Sequence, residues 1–160
     1  MKKDQRDLLY EFNARHVKYL VIGGYAFSHY AEPRATKDLD LFIEATPENT
    51  EKVFAALAQF GAPLDGIGPK DFQDPDSFFQ LGVAPNRIDI LQHIDGVTFE
   101  EAWQSAVQGM AADDLPVNYI SLEDLIRNKL TVGRLRDLAD VEALREAKAA
   151  NGHPQKPKQT

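Results

Sequence analysis

The chain contains no cysteine and, among its 160 residues, only one tryptophan and two methionines. Without cysteine, disulfides and thiolate metal sites are excluded. No apolar run approaches the roughly 18–20 residues that a membrane-spanning helix requires. The opening stretch, MKKDQRDLLYEF, mixes acids into its basic start and carries no apolar signal region. Positive charge is also in deficit: the formal net charge is −7, which argues against a generally basic nucleic-acid-binding surface but leaves room for a local basic cleft. Together these absences give the expectation of a cytoplasmic protein with no membrane partner.

What is present fits a soluble globular protein, 43% hydrophobic and 27% charged. The length suits one compact domain, expected over 1–150. The polar, proline-containing remainder over 151–160 is expected to be a disordered tail.

The rest of the chain is organised around the stretch from Tyr19 to Ile43. A short apolar run, Tyr19 to Ile22, turns at Gly23-Gly24 and passes through a helix-compatible segment into Asp38-Leu39-Asp40-Leu41. Side chains on a strand repeat every second residue, so Asp38 and Asp40 share one face while Leu39 and Leu41 enter a core. Two adjacent carboxylates repel unless a cation sits between them, and Mg2+ takes one or two carboxylates while keeping positions for water and phosphate oxygens. Glycines without Cβ atoms let backbone approach a ligand closely, and the following helix start offers free N–H groups to an anion.

The flanking segments read as scaffold. Leu8, Leu9 and Phe12 at helical spacing predict an amphipathic helix over Asp4 to Arg15. Thr46-Pro47-Glu48 is a helix start, and Gly61 is its stop. Gly61 to Ser77 reads as a long loop, with a short strand near Leu64 to Ile67. Phe78 to Val83 and Arg87 to Leu91 form a hairpin across a Pro85-Asn86 turn. Asp89 lies between Ile88 and Ile90 in a strand that reads as central, so it needs a cationic partner or a metal; the bland alternative pairs it with Arg87. A capping box at Thr98-x-x-Glu101 opens a short helix with Trp103 as a packing residue. Two extended pieces meet at Asp113-Asp114. Ser121 caps a further helix whose Leu122, Leu125, Ile126 and Leu130 are expected to face the core. If that helix continues through Gly133, Lys129, Arg136 and Asp140 align; if it breaks there, the alignment fails.

Gly23-Gly24 followed by Arg34-x-Thr36-x-Asp38-Leu39-Asp40 resembles the nucleotidyltransferase superfamily that shares its catalytic fold with DNA polymerase β. It is most similar to the small bacterial branch of AbiEii-type toxins and minimal nucleotidyltransferases. Many members carry Gly-Ser at the turn, whereas Tyr25 follows the glycines here. The resemblance implies an α+β fold, a mixed β-sheet with flanking helices. It also implies a two-metal Mg2+ site on Asp38, Asp40 and Asp89. Gly23, Gly24, Arg34, Thr36 and Lys129 would bind nucleotide, and Asp38, Asp40, Asp89 and Lys129 would form the catalytic set. The implied reaction moves a nucleoside monophosphate from a nucleoside triphosphate to an RNA end, a protein hydroxyl or a small molecule. A cognate antitoxin or a second copy of the chain would be the protein partner. The rival reading is a catalytically inactive binding or regulatory module on the same fold. A metal-dependent hydrolase, drawing on His29 or His93, is a third.

Overall fold

The computed structural model describes residues 1–35, 38–83 and 86–151. Thr36, Pro85 and the expected tail from 152 onward lie outside the described residues. Among those described, the order is α1 (Lys3–Ala14), β1 (Tyr19–Ile22), α2 (Gly23–Tyr30), β2 (Leu39–Ile43), α3 (Pro47–Phe60) and a 3-10 helix (Pro69–Gln73). Then follow β3 (Phe78–Leu81), β4 (Ile88–Leu91), α4 (Phe99–Ser105), β5 (Val107–Ala112), β6 (Leu115–Tyr119), α5 (Leu122–Val132) and α6 (Leu135–Asn151). The six strands form one mixed sheet in the order β3-β4-β2-β1-β6-β5. Its interior strands β2 and β4 are parallel, as are β1 and β6, and the other pairs are antiparallel. This is the expected α+β architecture, a mixed sheet with flanking helices.

Register explains the layers. Tyr19 pairs with Ile43, Val21 with Leu41 and Ile22 with Asp40, so the alternate residues of β1 and β2 face opposite sides. On one side Phe12 of α1 meets Tyr19 edge-on, and Phe72 of the 3-10 helix meets Phe79. Here α1 and α3 close over Leu39, Leu41, Ile43 and Ile90, all fully buried. On the other side Phe42 packs against Phe99 of α4, and α2 lies beside Asp40. One continuous cluster of buried side chains runs from Leu8 to Leu144.

The helix boundaries follow from their caps. Thr46 accepts from the Asn49 N–H, with Pro47 in the first turn, and Gly61 ends α3 in the left-handed region. Thr98 and Ser121 cap α4 and α5 in the same way. Two expectations are corrected, and the alternative left open at Gly133 is decided. Leu64 to Ile67 forms a turn, closed by Ile67 N–H donating to the Leu64 carbonyl at 3.0 Å, rather than a strand. Leu130 is 44% exposed rather than in the core. The helix from Ser121 does not continue through Gly133, which caps α5 at φ 72° and lets α6 fold back on it.

Candidate functional site

The candidate site begins where β1 ends. Gly23 has φ 65°, the left-handed region, and a Cβ added to it would lie 2.1 Å from Oδ2 of Asp40. Only glycine allows the carboxylate strand to come this close to the first turn of α2. Sheet register then places Asp89 beside Asp40 on the parallel neighbour strand. Asp38 and Arg87 continue the same face one step earlier on each strand.

Arg87 ties this face together. Its backbone N–H donates to Asp38 Oδ1 at 2.9 Å. Its guanidinium forks onto Asp89, Nε to Oδ1 at 2.7 Å and Nη2 to Oδ2 at 3.1 Å, and stands 3.6 Å from Asp38 Oδ2. The two-pronged fork holds the Asp89 carboxylate in a fixed orientation. Asp40 has no such partner. Burial raises its pKa well above the usual carboxylate range, Asp89 and then Asp38 raise it further, and Arg87 opposes them. A protonated Asp40 is the donor that its contact with Asp89 requires, since an ionised carboxylate can only accept.

The all-oxygen donor set and the mutual repulsion of these carboxylates suit a hard divalent cation. As they stand, no three metal-ligating side chains converge among the described residues. The Arg87 guanidinium engages carboxylate oxygens that a metal ion would take. The chemistry of the site therefore fits a metal on condition that Arg87 gives way.

Lys129 and Arg34 belong to a second cluster, one that includes α2 beyond the glycines. Lys129 Nζ is 2.7 Å from Asp140 and 4.0 Å from the buried Asp137. Arg34 Nη2 donates to Asp140 at 2.8 Å, and its guanidinium carbon lies 3.6 Å above the Phe27 ring. Arg134 is paired with Asp137 at 2.6 Å, and Arg136 is exposed. Thus Asp38, Asp40, Asp89 and Gly23 come together in one place, and Lys129 and Arg34 in another.

Three participants carry more than the sequence assigns them. Arg87 reads there only as a bland partner of Asp89. Asp140 reaches Lys129 through the fold-back at Gly133, which no periodicity reveals. Gln80, exposed on β3, stands directly across from Asp89, and nothing local distinguishes it. The histidines are elsewhere engaged: His29 stacks on Tyr119 at 4.1 Å, its pKa lowered by burial, and His93 is exposed beside Asp95. Tyr25, in place of the serine common at such turns, donates its hydroxyl to Gln5 at 2.9 Å.

No curated protein sequence matches the chain. Among solved structures, the lincosamide antibiotic adenylyltransferase LnuA in its lincomycin-bound form is similar, with a TM-score of 0.56 at 19% identity. The similarity covers 92% of this chain and 98% of that one, and at this identity it speaks for the fold. A family model described as nucleotidyltransferase of unknown function (DUF6036) matches residues 3–149. With nearly the whole chain matched, the protein belongs to this nucleotidyltransferase family.

Proposed function

We propose that the protein is an Mg2+-dependent nucleotidyltransferase in which residues 1–150 act as a single domain, with Asp38, Asp40 and Asp89 as metal ligands. The observation that carries this reading is the packing of Asp40 against Gly23 and beside Asp89, which joins the glycine turn to the carboxylate face. Bound there, the metal would offset triphosphate charge and stabilise the attacking and leaving oxygens. Gly23 and Gly24, in the first turn of α2, present backbone N–H groups to the triphosphate. Lys129 and Arg34 turn from Asp140 toward its outer oxygens. Asp89, released from Arg87, orients the acceptor hydroxyl. The acceptor oxygen forms a bond to the α-phosphorus, the bond from that phosphorus to the bridging oxygen breaks, and pyrophosphate leaves. The acceptor's proton passes to a carboxylate on this face or to solvent.

For the acceptor, the net charge of −7 weighs against an RNA end. The fold shared with a lincosamide adenylyltransferase favours a small hydroxylated molecule. The AbiEii-type resemblance keeps a toxin role, with a protein acceptor and a cognate antitoxin, as the second reading. An inactive module is favoured by one feature, the Arg87 fork over the ligand oxygens.

The test is label transfer from alpha-labelled nucleoside triphosphates to small hydroxylated compounds, protein extract and RNA in parallel. Mg2+-dependent labelling of one class, with pyrophosphate release abolished in Asp40→Ala, is the expected result. Nucleotide binding with no transfer to any class would favour the inactive module.

A further inference from the structure

A second cavity lies at the other end of the central strand. Tyr19 opens β1 opposite Ile43, whereas Ile22 closes it opposite Asp40. At a strand rise of about 3.3 Å per residue, the two ends of β1 are roughly 10 Å apart. Around the Tyr19 end is a hollow of about 520 Å3, lined by side chains from α1, β1, α3, α4, β5 and β6 and by the turn before β1. That is the size of a small-molecule pocket.

Its chemistry is specific in three respects. Trp103 gives it a planar aromatic wall, with Phe99 stacked against it at 5.7 Å. Two ammonium groups stand at the hollow, and both are loosely held. Lys18 Nζ lies 3.7 Å from Glu44 and 5.6 Å from the Trp103 ring, and Lys52 Nζ lies 3.6 Å from Glu48, separations longer than a hydrogen bond. Gln108 and Asn118, paired across β5 and β6, add amide donors and acceptors.

His16 adds a fourth feature. It has φ 56°, the only described residue other than glycine with a positive φ. Its N–H donates to Asn13 and that of Val17 to Phe12, the double closure of a helix C-terminus at which glycine is the usual residue. The chain carries an imidazole there instead, at the hollow's edge.

We propose that this cavity binds a small aromatic anion, its ring against Trp103 and its carboxylate, sulfonate or phosphate between Lys18 and Lys52. The site is separate from the carboxylate face and requires neither metal nor nucleotide.

Trp103 is the only tryptophan in the chain, so its indole N–H gives one assignable signal in a nitrogen–proton correlation spectrum. The full chain is titrated with 2-naphthoate and with its uncharged counterpart 2-naphthamide. The expected result is a saturable shift with naphthoate and binding about tenfold weaker for the amide, the scale of one charge-assisted contact. The exposed double substitution Lys18→Gln/Lys52→Gln weakens naphthoate by at least about tenfold on the same basis, while Asp40→Asn leaves it unchanged. No saturable shift, equal binding of the amide, or equal loss in Asp40→Asn would each overturn the proposal. Loss of the nucleotidyl-transfer activity reading leaves this result untouched, because the probe requires no turnover.

Discussion

Gly23 carries more constraint than any other single residue near the site. Its φ of 65° is costly for a residue with a side chain, and a Cβ would lie 2.1 Å from the Asp40 carboxylate. Gly23→Ala is expected to destabilise the protein by about 2–4 kcal/mol, from backbone strain of about 1–3 kcal/mol together with displaced packing. Chemical denaturation measures this directly, and a change under 1 kcal/mol would show that the turn has room. Arg87 gives a two-sided prediction. Its removal leaves Asp38, Asp40 and Asp89 without their cation, so Arg87→Gln should melt lower than wild type in chelator. It also frees carboxylate oxygens, so the rise in melting temperature on adding Mg2+ should be larger than for wild type. A smaller rise would mean that Arg87 assists the metal rather than standing in for it.

Among the elements, the local signals that worked were those closed within one turn of chain. Thr46, Thr98 and Ser121 were legible as caps because the bond each accepts comes from three residues on. Asp89 was legible as a strand carboxylate because its isoleucine neighbours fix which face it takes. The signals that failed depended on distant packing. Leu130 has the right helical spacing for the core, yet it is 44% exposed, because burial depends on which elements pack over each face and not on spacing alone. Lys129 aligns with Asp140 along one helix only if that helix runs through Gly133; it meets Asp140 across two, at 2.7 Å, because Gly133 reverses the chain. The cavity at Trp103 draws on six elements and a turn, and no stretch of sequence contains enough of it to be read. Two element-level outcomes follow. Ser121→Ala, at a buried cap, should cost about 1–2 kcal/mol in denaturation experiments. Lys129→Ala leaves the Asp137 and Asp140 carboxylates short of a partner in a mostly buried setting. It should cost about 2–4 kcal/mol, near the range for breaking a buried pair, and should also weaken triphosphate binding. Full retention of binding would separate this cluster from the nucleotide.

At the scale of the whole molecule, the carboxylate face makes stability depend on pH. Asp40 is raised from an ordinary 3.8 to about 7, so between these values the folded protein holds a proton that the unfolded chain releases. Stability from this group is complete below the unfolded value and is lost as pH rises through the folded one. Asp40→Asn, which keeps a neutral side chain at every pH, should therefore gain about 1–3 kcal/mol over wild type near pH 8, a gain that shrinks steadily as pH falls toward about 4. Thermal melts across this range check the sign, and a gain that is flat with pH would refute the buried-proton assignment. The same face links that cost to function: a metal ion that ionises Asp40 takes up the charge that burial otherwise penalises. Mg2+ affinity should then fall as pH drops below neutral, because binding has to displace the proton on Asp40.

The central claim is that the carboxylate face and the glycine turn together hold a metal–nucleotide complex. Calorimetric titration with ATP, GTP, CTP and UTP, with and without Mg2+, on wild type and on Asp38→Ala/Asp40→Ala tests it most directly. The expected result is Mg2+-dependent binding of at least one triphosphate to wild type and none to the double variant, with both proteins folded by circular dichroism. Equal binding by the two proteins, or no binding by folded wild type, would contradict it.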